Sequence, residues 1–153
     1  MPAERLKNFL DQQGLKYLSI SHSMAFTAVE IAKSSHIQSK EMSKTLVVSI
    51  RGEPAITVIP AVQKFDLNIL KEALDTEQVE LTAEHKFSKL FPDCEAGAMP
   101  PFGNPYGMET YVDERVTEQE SIAFNAGSHS EVIKMLYHDY ERLVAPRFVI
   151  LAD

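Results

Sequence analysis

Lys44-Thr45-Leu46-Val47-Val48-Ser49-Ile50, then Arg51-Gly52-Glu53-Pro54, then Ala55 to Pro60 is the stretch on which the fold turns. The first segment is an apolar run rich in β-branched residues, which reads as a buried strand. Arg51 to Pro54 supplies a turn and Ala55 to Pro60 returns as a second strand, so the spacing predicts a hairpin. Upstream, Leu6, Phe9 and Leu10 recur at helical spacing within Ala3 to Gln13, with Gly14 as a natural C-cap. Lys16 to Ile20 alternates as a short strand. Thr27 followed by Glu30 is a capping box that predicts a helix over 28–35.

Downstream, Asp66 can cap a helix over Leu67, Leu70 and Leu74, and Thr82 can cap another that holds Phe87 and Leu90 and ends before Pro92. Glu109 to Asp113, Ser121 to Asn125 and Glu131 to Leu136 read as strands, the second running into a turn at Gly127. Asp139 to Val144 reads as a helix and Arg147 to Leu151 as a closing strand. Strands and helices mix without strict βαβ alternation, which predicts an α+β fold on a mixed sheet, one domain over 1–153.

The 153 residues are 44% hydrophobic and 24% charged, the balance of an ordinary globular domain. No apolar run approaches the length of a membrane span, and no signal-peptide core follows Met1. A lone Cys94 excludes an internal disulfide and fits a reducing, cytoplasmic compartment. Fifteen basic residues against 22 acidic give a net charge of −7, whereas nonspecific nucleic-acid binders are usually basic. Any RNA contact must rest on a local patch, on recognition of a small end-group, or on a partner protein.

Glu95-Ala96-Gly97-Ala98-Met99-Pro100-Pro101-Phe102-Gly103-Asn104 reads as a rigid turn with an exposed backbone, since proline fixes φ and glycine opens positive φ. The N–H groups of Gly97, Ala98 and Met99 are available to an anion or a polarised carbonyl. Lys44 at the strand mouth is equally a lysine snorkelling from a strand edge or a cation aimed into a pocket. His129, after Asn125-Ala126-Gly127-Ser128, is a turn histidine or an acid–base group. His22-Ser23 precedes a helix start and can wall a cleft. No metal-ligand spacing, phosphate loop or dinucleotide fingerprint is present. A Cys94/His129 nucleophile pair is disfavoured, because no helix start lies near Cys94 to lower its pKa.

Four segments, in order, resemble the YbaK/ProX family of aminoacyl-tRNA deacylases, relatives of the insertion domain of bacterial prolyl-tRNA synthetase. They are His22-Ser23-Met24-Ala25-Phe26-Thr27-Ala28-Val29-Glu30, Lys44-Thr45-Leu46-Val47, Gly97-Ala98-Met99-Pro100-Pro101-Phe102-Gly103 and Phe124-Asn125-Ala126-Gly127-Ser128-His129. The likeness implies a mixed sheet, partly closed like a barrel, with surrounding helices. It implies hydrolysis, in trans and without metal or cofactor, of the ester joining a wrong amino acid to the end of a tRNA. The family's strand lysine falls on Lys44, its G-x-x-x-P loop on Gly97 through Pro101, and its late histidine on His129.

On that reading the loop stabilises the oxyanion, Lys44 holds a terminal phosphate or the ester, and His129 positions the terminal adenosine or the attacking water. The substrate-binding set is His22, Met24, Phe26, Thr27, Thr45 and Leu46 with Gly127 and Ser128, and Met99 is expected in the pocket lining. The Gly-Ala-Met-Pro-Pro-Phe-Gly wording is similar to alanine-clearing members, so Ala-tRNA(Pro) ranks first. Cys-tRNA(Pro) and Ser/Thr-type charges follow. An aminoacyl-tRNA synthetase is a possible partner; no membrane or DNA is implied. A non-catalytic module binding a tRNA end or a synthetase, and an esterase of small aminoacyl esters, are the readings from other classes.

Overall fold

A computed structural model describes residues 4–21, 37–82, 86, 89–95, 98–128 and 130–149. The hairpin forms as the sequence requires. β2 (Ser43–Ile50) pairs antiparallel with β3 (Glu53–Pro60), from Ser43 opposite Pro60 to Ile50 opposite Glu53. The turn is tighter than the four residues expected. Arg51 and Gly52 alone make it, with φ of 50° and 84°, the paired positive values whose twist matches the flanking strands.

This hairpin is the centre of a five-stranded mixed sheet. β4 (Val79–Leu81) pairs antiparallel with β2, while β5 (Glu109–Asp113) runs parallel to β3, and β8 (Arg147–Val149) runs parallel to β5. The order is β4-β2-β3-β5-β8. A second sheet is antiparallel, ordered β1-β7-β6, from β1 (Leu18–Ser21), β7 (Glu131–Leu136) and β6 (Ser121–Asn125). The α+β expectation holds, with mixed pairing, but the two sheets do not close into a barrel. β4, an edge strand of three residues with one buried side chain, was not expected from the sequence.

Three helices lie among the described residues: α1 (Glu4–Gln12), α2 (Leu67–Leu74) and α3 (Tyr137–Val144). Gly14, at φ 68°, ends α1 while the Leu15 N–H reaches back to the Leu10 carbonyl. Asp66 caps α2 by accepting from the Asn68 N–H at 2.9 Å. The helix expected over 28–35 lies outside the described residues. So does most of the one expected after Thr82, although Lys86, Lys89 and Leu90 are helical.

One face of each sheet contributes to the main core. Val47, Ile56, Val58 and Val112 from one meet Ile122, Phe124, Ile133 and Met135 from the other, with Leu6 and Leu10 of α1 and Tyr140 of α3. α2 covers the opposite face of the larger sheet through Leu70, against Val48 and Ile59. On the opposite face of the smaller sheet, Ala123 and Val132 pack with Ile37, Met42 and Ala61.

Candidate functional site

The Gly/Pro segment departs from its expected exposure. Ala98 through Gly103 are all buried, and Phe102 is at the centre of the aromatic core. Its ring meets Phe124 at 5.5 Å, Tyr140 at 5.2 Å and Phe9 at 6.3 Å, each edge to face. The Tyr140 hydroxyl donates to the Pro101 carbonyl at 2.7 Å in a buried bond, and the Gly103 N–H donates to Thr110 Oγ1 at 3.0 Å. Apolar residues between prolines made this a core segment, because Ala, Met and Phe gain more from burial than a solvated turn could offer.

The other end of the segment is zipped to the turn after β6. The Glu95 N–H donates to the Gly127 carbonyl at 2.8 Å, and the Gly127 N–H donates to the Ala98 carbonyl at 2.9 Å. Gly127 is buried with φ 92°, a conformation that L side chains resist. The Ala98 N–H closes its own turn on the Glu95 carbonyl at 3.1 Å. It is therefore spoken for, whereas the Met99 N–H has no partner among the described residues. The Met99 side chain packs in the main core with Val47 and Phe124. In the Gly127 turn the Ser128 hydroxyl accepts from the Ser130 N–H at 3.3 Å.

β2 and β6 touch at one parallel bridge, Met42 to Ala123, reinforced by a buried bond from Ser43 Oγ to the Ala123 carbonyl at 3.0 Å. Along β2 the half-buried Lys44 and Leu46 alternate with buried Ser43, Thr45 and Val47. Lys44 therefore shares its strand face with Leu46, while Thr45 turns to the main core with Val47. The Lys44 main chain pairs with Ile59 in the β2–β3 ladder, while its side chain makes no hydrogen bond or ion pair to another described residue. Lys7, Lys71 and Lys134, by contrast, pair with Glu131, Glu77 and Glu41. The structure thus joins the Ala98–Pro101 and Gly127–Ser128 segments directly and brings the start of β2 against β6. His22, Met24, Phe26, Thr27, Gly97 and His129 lie outside the described residues.

Asn125, the last residue of β6, was not singled out from sequence, where an Asn before a glycine turn reads as a turn residue. Its side-chain carbonyl oxygen is buried and has no hydrogen-bond partner among the described residues. Cys94 is half-buried with its Sγ 3.5 Å from the Tyr106 hydroxyl. Burial is the main cause that pushes its thiol pKa up, which suits a structural cysteine and not a thiolate nucleophile. Among the described residues no group of three His, Cys, Asp or Glu side chains is placed to hold a metal. No helix among them is long and apolar enough to cross a membrane.

The sequence matches one family over residues 22–143, that of the aminoacyl-tRNA editing domains. The chain belongs to this family, and its activity is that of an aminoacyl-tRNA hydrolase. No curated protein matches the sequence. Solved structures share the fold at low identity. A candidate trans-editing enzyme for prolyl tRNA synthetase superposes with a TM-score of 0.85 at 17% identity, covering 99% of this chain and 97% of its own. A hypothetical protein gives 0.83 at 17% identity, covering 98% and 100%. A scaffold protein used for computational epitope grafting gives 0.84 at 18%, covering 99% and 97%.

Proposed function

We propose that this protein hydrolyses, in trans, the ester of a mischarged tRNA, with Ala-tRNA(Pro) as the first-ranked substrate and the cytoplasm as its compartment. The observation that carries the reading is the locked loop. Ala98 and Gly127 are bonded backbone to backbone, Ala98's own N–H is used inside the turn, and the adjacent Met99 N–H is left without a described partner. A rigid loop holding a peptide N–H with no partner among the described residues suits the negative charge that develops on the carbonyl oxygen during ester hydrolysis. Gly97, preceding it, is assigned to the same loop.

Lys44 is assigned to the terminal phosphate or the ester, a role that fits a half-buried cation with no described carboxylate partner. His129 is assigned to the terminal adenosine or the attacking water. Leu46, on the Lys44 face of β2, joins His22, Met24, Phe26 and Thr27 in lining the amino-acid side of the pocket. Thr45 faces the main core, so its part in the substrate set is to hold the strand from behind.

The net charge of −7 favours a second element in this reading, a synthetase or similar partner that supplies tRNA affinity the domain lacks. The test is deacylation of Ala-, Cys-, Ser- and Pro-tRNA(Pro) with the protein alone. Ala-tRNA(Pro) is expected to turn over fastest. Faster release of Cys or Ser would reassign the amino acid, and no turnover of any would favour the non-catalytic module.

A further inference from the structure

We propose that Asn125 is the acceptor for the free hydroxyl of the terminal ribose, the one next to the aminoacyl ester, and so orients that ribose beside Lys44. The inference rests on the aminoacyl-tRNA reading above and adds a residue to it. Three observations carry it.

The first is the orphaned oxygen. The Asn125 side-chain carbonyl is buried with no donor among the described residues, although a buried acceptor left unmatched is unfavourable and uncommon. The residue as a whole is only half-buried, so part of its side chain or backbone is within reach of solvent.

The second is register. The parallel bridge places Met42 beside Ala123, and the next positions on the same face of each strand are Lys44 and Asn125. Asn125 is also opposite Val132 in the β6–β7 ladder, and Val132 packs with Met42 and Ala123, so all of these share one face. Among the described residues the β2–β6 pairing stops at that single bridge. Lys44 and Asn125 therefore stand at the first unpaired step beyond the bridge, one on each strand.

The third is charge. With an ammonium as its neighbour in register, the site disfavours a second cation such as the substrate's α-amino group. A neutral hydroxyl is a donor that this acceptor can take without like-charge repulsion. A terminal ribose carrying an ester on one hydroxyl offers one such donor, adjacent to the reacting bond.

The test uses a short RNA ending in 3′-amino-3′-deoxyadenosine with alanine in amide linkage, compared with the same RNA lacking the 2′-hydroxyl. Wild type is expected to bind the hydroxyl-bearing analogue about fivefold to tenfold more tightly, the range of one net hydrogen bond. Asn125→Leu keeps the volume and removes the acceptor. It should bind both analogues alike and melt at or above the wild-type temperature, since the orphaned group is gone. Asn125→Ala serves as a second variant should the leucine fail to fold.

A variant that keeps the wild-type preference, or a wild type that shows none, overturns the assignment. Wild-type turnover of the aminoacyl-tRNA panel, measured alongside, separates the two levels. Turnover without a hydroxyl preference removes Asn125 alone, whereas neither turnover nor binding removes the underlying reading and Asn125 with it.

Discussion

Gly103 has a φ of −76°, which any residue tolerates; what it lacks is room. A Cβ added there would be 2.1 Å from the Met108 carbonyl oxygen, a backbone atom that cannot swing aside. Gly103→Ala should therefore destabilise by about 1–3 kcal/mol or more, as overpacked sites do, read as a lower urea midpoint at unchanged slope. An unchanged midpoint would show that the Asn104–Tyr106 turn moves freely. Cys94→Ser should leave turnover nearly unchanged, since burial keeps the thiol protonated; a large loss would revive a thiol nucleophile. At this scale the sequence was informative where chemistry is local, as at Asp66 and Gly14. It was silent at Asn125, whose unmatched oxygen is a matter of burial in the folded chain.

Elements depend on a few ties between distant parts of the chain. Tyr140 of α3 holds the proline loop through the Pro101 carbonyl, 39 residues away in sequence. Tyr140→Phe leaves that buried carbonyl unmatched and should cost about 1–3 kcal/mol. It should also slow deacylation by loosening the loop; full activity in a destabilised variant would separate the tie from the site.

Glu131 of β7 anchors α1 through Lys7 at 2.5 Å and β1 through the Ser19 hydroxyl. Burial pushes the Glu131 carboxyl up, but the Lys7 and Ser19 hydrogen bonds and the Lys7 charge together outweigh it and hold it below the ordinary range. A carboxyl depressed in the folded state stabilises above its unfolded pKa, and that contribution is lost as pH falls through the folded value. The stability gap between wild type and Glu131→Gln should therefore be present at pH 7 and close below about pH 4. A gap independent of pH would contradict this.

The β2–β3 hairpin was legible because a dense β-branched run and a Gly-containing turn leave one solution. β4 was not, because a single buried Val79 carries no periodicity. The proline loop was seen but misjudged. Its prolines and glycines signalled a turn, while Ala98, Met99 and Phe102 signalled burial, and burial prevailed.

Across the whole molecule, the two sheets share a core and meet directly at the Met42–Ala123 bridge, two residues before Lys44. The net charge of −7 makes tRNA affinity a matter of few phosphate contacts. Turnover of aminoacyl-tRNA should consequently fall with added salt but less steeply than for a basic RNA binder, while hydrolysis of a small alanyl ester should hardly respond. Equal salt responses for both substrates would remove the RNA contact from the account.

The central claim is that Lys44 works on the substrate and contributes little to the fold. Single-turnover deacylation of Ala-tRNA(Pro) by wild type and Lys44→Ala, with thermal melts of both, addresses it directly. The account predicts hydrolysis by wild type and a loss of about a hundredfold or more in the variant, the scale of removing one group that stabilises the transition state. The melting temperatures should agree closely. A variant that deacylates at the wild-type rate, or one whose loss of rate tracks its loss of fold, would contradict the claim.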